Sequence, residues 1–413
     1  MTVSSFMKLL FSSPGTLSDH SLSELCSDLA IHQVPLSKEA LNKRLNEHTV
    51  LFLQEVFFAL FELQKSLPLP GIQLATTLPF NRIRILDGTT VALSSNCQSD
   101  YPSSVGAGVK FQVEVDYLTG QFQYVKIQPA KAADCPAGRE RLATIRKGDL
   151  FLQDLGYYQY TTFEQINEEH AFYVSRARTD TMFYIDHPTP RYHPNGKMVE
   201  RSAYEQLFIK EEMKTLHPGE IRNYPRVYLG RHKKLPCRLV LYRMTAAEQR
   251  PQAYRVKRRD QTKHGTIKQK SLDLVGVSML VTNLPDKVPT EEIVALYRYR
   301  WQIELLFRSW KSNLKLDQFR CMKQARWECH IYAELILLLL STLVAYQLRV
   351  RFWKERHFVL SEQIAIHEIS KKIGMHWRIR DGTDWQCIHQ KIELTLNAIG
   401  RKKVWKPGPI NWL

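Results

Sequence analysis

LYRYRWQIELLFRSWKSNLKL, residues 296–316, is the stretch from which the rest of the chain can be read. Its apolar residues recur at helical spacing, and a helix is expected from Thr290 to about Leu314. At about 100° per residue, Tyr297, Arg300, Glu304 and Lys311 fall within about 60° of one another. Leu296, Ile303, Phe307 and Leu314 make an adjoining apolar stripe. One edge of the helix therefore packs, and the next presents a tyrosine, an arginine, a carboxylate and a lysine in a row.

Such a row suits phosphate chemistry. A glutamate can ligate Mg²⁺, an arginine grips a phosphate with two parallel hydrogen bonds, and a lysine adds a point charge. A solvated helix face with an Arg300–Glu304 ion pair would look the same, and in an arbitrary helix that is the commoner case. The rest of the chain has to discriminate.

Charge is the first discriminator. The 413 residues carry 58 Lys and Arg against 41 Asp and Glu, a formal net charge of +17. Between Arg222 and Lys270 stand 15 Lys or Arg and two acids, Glu248 and Asp260. Positive charge gathered in one stretch points to a polyanionic partner, which a dispersed excess would not. The seven cysteines are odd in number and contain no Cys-x-x-Cys pair, so a disulfide framework or zinc site is not expected and a reducing cytoplasm is. The N-terminal segment makes a poor signal peptide. The uncharged apolar run Leu335–Leu348 is short for a bilayer and reads as a buried core helix, so no membrane association is expected.

Along the chain, residues 1–75 read as helical, with Ser37 as an N-cap, and form a candidate DNA-binding domain. Lys43 and Arg44 lie outside the apolar core of Ala40, Leu41 and Leu45, as in a recognition helix; a helical packing or dimerisation unit would show the same pattern. From residue 76 to 180 short strands take over: RILDGTTVAL, then FQVEVDYL and QFQYVKIQ about a turn at Thr119-Gly120, a helix near Arg139–Ile145, the buried strand of GDLFLQDLGYY, a short helix in TTFEQINEEH and the strand AFYVSRAR. Residues 181–271 read as a basic, β-rich insertion in which Arg255, Lys257, Arg258 and Arg259 stand beside Tyr254, a mixture that tracks phosphates, although a basic loop would also supply it. LVGVSMLVTNL restores a core strand in residues 272–325, and residues 326–413 are helical with a basic tail from Arg401. The fold class expected is α/β, a mixed sheet with helical N-terminal and C-terminal regions.

The spacing Tyr297-x2-Arg300-x3-Glu304-x6-Lys311 resembles the Y-R-E-K signature of bacterial insertion-sequence transposases, in the group founded on insertion sequence four. Trp301, Ile303 and Trp310 strengthen the match, which covers residues 80–180 and 270–320 well and the insertion loosely. The resemblance implies a ribonuclease-H-like catalytic domain with a DDE triad. Asp87 stands where the first carboxylate belongs, on the first strand; Asp154, followed by Gly156 and Tyr157, where the second belongs; and Glu304 is the third. Asp149 competes for the second place but begins its strand, whereas Asp154 follows its end. Asp116 and Asp134 look like turn or surface residues.

Three carboxylates of this kind hold two Mg²⁺ ions, with Mn²⁺ able to substitute, and the same resemblance implies cleavage at element ends followed by joining of the 3′-OH to target DNA, in a cut-and-paste reaction. Tyr297, Arg300 and Lys311 would then grip phosphates near the cleaved end. Some relatives place a Trp before the core strand to stack on an extruded base; this chain has Val277 there, so the chemistry of the second strand stays open. Double-stranded DNA, as element ends and as target, is the partner implied, with a homodimer on paired ends and a bacterial, nucleoid-associated, cytoplasmic location. A catalytically silent DNA-binding relative or inhibitor of transposition, and a nuclease that cuts without joining, are the competing readings.

Overall fold

The computed structural model describes residues 1–11, 20–31, 33–178, 180–199, 202–264, 276–314, 322–378 and 385–401. The N-terminal helices are α1 (Val3–Phe11), α2 (Leu22–Ile31), α3 (Lys38–Arg44) and α4 (Glu47–Ser66). Ser37 caps α3 as expected, its hydroxyl accepting the Ala40 N–H, and Asn46 caps α4 in the same way through Thr49. Next come the strands β1 (Arg82–Leu93), β2 (Ala107–Asp116) and β3 (Phe122–Pro129), then helix α5 (Cys135–Glu140), strand β4 (Asp149–Gln153), helix α6 (Tyr160–Glu168) and strands β5 (Phe172–Arg176), β6 (Phe183–Asp186) and β7 (Tyr204–Leu207). Helix α7 (Ile209–Thr215), β8 (Ile221–Leu229), β9 (Leu235–Arg243), helix α8 (Ala246–His264) and β10 (Val277–Thr282) complete the central part. The C-terminal helices are α9 (Thr290–Arg298), α10 (Trp301–Leu314), α11 (Gln324–Arg356), α12 (Glu362–Arg378) and α13 (Trp385–Ile399).

Ten strands among the described residues form one mixed sheet in the order β3-β2-β1-β4-β5-β10-β9-β8-β6-β7. β1, β4 and β5 run parallel, while the β2–β3 pair and every pairing from β5 through β10 to β7 are antiparallel. The stretch expected as a β-rich insertion at 181–271 holds the strands β6 to β9 and also the helices α7 and α8, with β9 bonded directly to β10. The expectation of one helix from Thr290 to Leu314 is corrected: α9 ends at Arg298 and α10 begins at Trp301. At the junction the N–H groups of Tyr299 and Arg300 bond to Leu296 and Tyr297, three residues back, which tightens the last turn and stops the i to i+4 ladder.

The chain divides into two compact units. The first contains residues 1–74, 86–133 and 301–405. In it α4 packs Leu53, Phe57 and Phe61 inward, with the Phe57 ring 6.3 Å from that of Tyr332 on α11. Buried Gln64 receives the Phe122 N–H and donates to the carbonyls of Phe61 and Phe122, and Gln121 donates to the carbonyls of Gln64 and Leu67. These amides satisfy the open carbonyl end of α4 and tie it to the β2–β3 hairpin. Asp116 is a turn residue, as expected, but a buried one: its carboxylate accepts from Leu118 N–H and the Thr119 hydroxyl. Gly120 follows at φ +77°, where a Cβ would stand 2.4 Å from the Tyr346 ring, so both backbone and space require glycine. Helix α11 contains the expected apolar run; it is long and apolar enough to cross a membrane by length and composition, and 78% of that window is buried inside this protein.

The second unit contains residues 75–85 and 134–300. Its organising pair is β1 and β4, with Arg82 opposite Asp149 and Ile85 opposite Leu152. Asp149, fully buried, takes two hydrogen bonds from Arg82, at 2.8 and 2.5 Å, one from Arg84 at 3.4 Å and one from the Arg146 N–H. Arg84 and Arg141 then lie over the Phe151 ring, 4.7 and 4.9 Å from its centre. On the same sheet Phe163 of α6 stacks on Tyr173 of β5 at 4.3 Å, within a core that continues through Phe183, Leu229, Leu239 and Val281.

Substituting Asp149→Asn removes the anion that compensates two buried guanidiniums, and a buried charge left without its partner costs about 3–5 kcal/mol. Urea denaturation of this variant should show a loss of that order. A loss below about 1 kcal/mol would mean that the network is not what stabilises the β1–β4 pairing.

Candidate active site

Asp87 lies on β1, half-buried, and one of its carboxylate oxygens accepts the N–H of Gly88 at 2.8 Å. Gly88 is small for a reason: a Cβ there would come within 3.0 Å of the Gln112 side-chain oxygen on β2. Glu304 is half-buried in the first turn of α10, where the open N–H groups of a helix favour an anion. The helix is anchored by Ile303, Phe307 and Trp310. The Trp310 ring sits 5.3 Å from Phe307 and 6.1 Å from Phe122, and the Leu305 carbonyl accepts from Gln363 of α12. Lys311 stands in the last turn of the same helix, half-buried. These three residues belong to the first unit.

Asp154, Tyr297 and Arg300 belong to the second. Asp154 follows β4 directly, in extended conformation, and heads the short 3-10 turn Leu155–Tyr157 without capping it through its side chain. Its Oδ1 is buried with no hydrogen-bond partner. A buried carboxylate oxygen left open loses hydration without replacement, a cost that structures retain at functional positions. The pairing of Ile85 with Leu152 ends two residues before Asp87 on one strand and two before Asp154 on the other. Asp149 is occupied by the arginines; Asp134 sits beside the Asp154 loop, its carboxylate 3.3 Å from where a Cβ on Gly156 would be.

The Tyr297 hydroxyl is buried, and burial raises its pKa well above the usual phenol range. Arg300 and Arg176 oppose that rise and Asp154 adds to it, so all three charges stand within electrostatic reach of one hydroxyl. The Arg300 guanidinium lies 5.9 Å over the Tyr297 ring. Sequence reasoning missed Arg176, whose only signal is its place at the end of β5, the strand parallel to the one that leads into Asp154. The row of four residues expected on one helix is therefore divided: Tyr297 on α9, Arg300 in the turn, and Glu304 and Lys311 on α10.

Carboxylate oxygen is the kind of donor a hard divalent cation takes, and the open Oδ1 of Asp154 is one such atom. Among the described residues, no three His, Cys, Asp or Glu side chains stand together as a ready metal-binding group. Of the other expected DNA contacts, Lys257 and Arg258 are exposed on α8 beside exposed Tyr254, while the side chains of Arg255 and Arg259 lie outside the described residues. Lys43 and Arg44 are exposed at the end of α3, with Arg44 donating to the Ala40 carbonyl.

Residues 78–340 match the family described as the transposase DDE domain. The chain is 37% identical over 351 residues to the transposase for insertion sequence element IS231F of Bacillus thuringiensis subsp. israelensis, covering 84% of this chain and 73% of that protein. It is 34% identical over 400 residues to the transposase for insertion sequence element IS231B of Bacillus thuringiensis subsp. berliner, covering 94% and 82% respectively. With the transposase for insertion sequence element IS1151 of Clostridium perfringens it shares 28% identity over 320 residues, 75% of this chain and 67% of that one. The family match spans more than half of the chain, and the relatives are covered over most of their own length, so this protein belongs to the DDE transposases and is an enzyme of that family.

Proposed function

We propose that this transposase binds double-stranded DNA at the ends of its element, cleaves there and joins the freed 3′-OH to target DNA by a cut-and-paste route, with Asp87, Asp154 and Glu304 as its metal-binding carboxylates. The observation that carries the reading is the open, buried Oδ1 of Asp154, which follows the strand paired with the one that bears Asp87. Within this reading β3-β2-β1-β4-β5 is the ribonuclease-H-like core, preceded by helical DNA-binding residues 1–75 and followed by the helical region 326–413.

Two Mg²⁺ ions, or Mn²⁺ in their place, would be held by Asp87, Asp154 and Glu304 and would supply Lewis-acid stabilisation of the charge that develops in phosphoryl transfer. The side chains around them have separate tasks. Arg300 grips a phosphate with its planar fork, and Lys311 neutralises another one from the far end of α10. Tyr297, a phenol whose pKa is held by burial well above its ordinary range, offers a hydroxyl proton to a nearby phosphate. In cleavage, the oxygen of water attacks phosphorus and the 3′ oxygen leaves. In joining, that 3′-OH attacks a target phosphodiester and the target's own 3′ oxygen leaves, so bonds broken and formed balance. Two ends handled together call for two copies of the chain, and a homodimer in the bacterial cytoplasm is the arrangement proposed.

The test is strand transfer of a labelled fragment carrying the element's ends into a plasmid, with Mg²⁺ and then Mn²⁺. Wild type should join the fragment. Glu304→Gln, which keeps shape and loses the ligand charge, should bind the fragment with affinity within about threefold of wild type and join it at least about 10³-fold more slowly. Equal binding with no cutting or joining by wild type in either metal would overturn the reading.

A second variant separates the role of Tyr297 from its packing. Its hydroxyl interacts with Arg300 but makes no well-aligned hydrogen bond, so Tyr297→Phe should change unfolding free energy by less than about 1 kcal/mol. Joining should nevertheless fall by about tenfold or more, the equivalent of one lost hydrogen bond to a charged group. Unchanged joining would restrict Tyr297 to a packing role.

A further inference from the structure

The turn from β8 to β9 reads Gly230-Arg231-His232-Lys233-Lys234: four basic residues and no acid. A charge run is ordinarily a solvated face, but this one is built. Gly230 has φ +79°, and its N–H donates to the Met182 carbonyl at 3.0 Å. A Cβ there would lie 3.5 Å from the ring of Tyr160, in the first turn of α6. Lys233 pairs with Glu164 of the same helix. Lys234 adopts φ +49°, a conformation that costs an L-residue about 1–2 kcal/mol and persists only where its surroundings impose it.

Those surroundings are aromatic. The Lys234 ammonium lies over the Tyr184 ring and 5.3 Å from the centre of the Tyr204 ring. Tyr204 meets Tyr228 edge to face at 4.6 Å, and the exposed Arg226 guanidinium lies 5.8 Å over Tyr228. Strand alternation explains the grouping: Phe183, Leu207, Val227 and Leu229 point into the core, so Tyr184, Tyr204 and Tyr228 share the opposite face of β6, β7 and β8. An ammonium held by a carboxylate is neutralised, whereas one held by ring faces is fixed in place and keeps its full charge. Burial, and after it the neighbouring Arg231, push the Lys234 amine below the usual lysine range. Arg231 and His232 stand exposed beside it.

We infer that this hairpin tip, Lys234 seated on Tyr184 and Tyr204 with Arg231 and Lys233 beside it, is a clamp for the phosphate backbone of duplex DNA. It is additional to the residues of the Y-R-E-K row and to the basic helix α8. The inference rests on the proposal above that the enzyme acts on DNA. Charge complementarity selects the partner: Lys234, fixed on ring faces with its charge intact, and exposed Arg231 meet a polyanion, Lys233 joins them when a phosphate displaces Glu164, and each phosphate engaged releases condensed counterions.

The experiment is a salt titration of binding to a labelled duplex by the full-length protein. Four proteins are compared with wild type: the tip variant Arg231→Gln/Lys233→Gln/Lys234→Gln; a control with the same change in net charge, Lys354→Gln/Lys371→Gln/Lys391→Gln; Glu164→Gln, which releases Lys233; and Arg231→Glu. The tip variant should bind about tenfold or more weakly, and its slope of log K against log salt should be shallower by about 2–3, near 0.9 for each phosphate lost. The control should stay within about twofold of wild type, and Glu164→Gln should bind about two- to threefold more tightly. Thermal unfolding is recorded for each, and the single Arg231→Glu change at an exposed position gives the same comparison without disturbing the turn. Two results would overturn the clamp while leaving the DNA reading intact: a tip variant that binds with the wild-type slope although wild type binds and joins DNA, or a control that weakens binding as much as the tip variant does. Failure of wild type to bind any duplex would remove both.

Discussion

Asp149 and the two arginines around it settle how β1 lies against β4. The carboxylate is fully buried at the head of β4, and Arg82 and Arg84 reach it from alternate positions of β1. Slipping the strands would bury a guanidinium without an anion, at a cost comparable to a large part of a domain's net stability. This interaction therefore specifies a register more strongly than apolar contacts do, because Ile83, Ile85, Leu150 and Leu152 would pack nearly as well one pair away. Asp87 and Asp154 each come two residues after the last pair of that register. The arginine–aspartate network is structural, and Asp154 follows directly on the strand whose register it fixes.

The same economy governs the helices. Trp310, Phe307 and Ile303 bury one side of α10 and leave Glu304 and Lys311 half-exposed on the other. In the second unit, Tyr297 is placed by the last turn of α9, and the tightened turn at Tyr299–Arg300 separates it from α10. Side chains that chemistry would use are carried at element ends, where the backbone ladder is already open: Asp154 after β4, Arg176 at the end of β5, Arg300 between two helices, Glu304 in a first turn. Element ends are where polar groups lack regular partners, so a functional side chain there costs the fold least.

The stretch 181–271 is basic and β-rich by sequence, and charge concentrates in it between Arg222 and Lys270. Its strands are in place, but residues 246–264 form a helix. That helix has no apolar stripe to reveal it; its signal is composition, since Ala, Glu, Gln, Lys and Arg are all strong helix formers. The block also does not act as one surface. Arg238 is buried and donates to the carbonyls of Pro285 and Val288, and Arg222 pairs with Glu212 and Glu220, whereas Arg231 and His232 are exposed. Net charge over a segment counts all of these alike; only packing separates a structural arginine from one able to meet a phosphate.

What the sequence determined by itself was family and sheet-plus-helix class, because these are carried by residue type, order and spacing: Tyr297, Arg300, Glu304 and Lys311 at fixed intervals, and aspartates within or after apolar strand patterns. Tertiary structure decided which aspartate is free, since Asp149 and Asp154 stand five positions apart around the same short strand and differ only in what surrounds them. It also decided that α9 and α10 are two helices: no glycine or proline marks Tyr299-Arg300, and the break is written in hydrogen bonds three residues long rather than in propensity. It decided, finally, that Lys234 rests on tyrosines contributed by other strands. Periodicity is a local property and survives in the sequence. Partnership between residues far apart in the chain is a property of the packed sheet, and no window of sequence contains it.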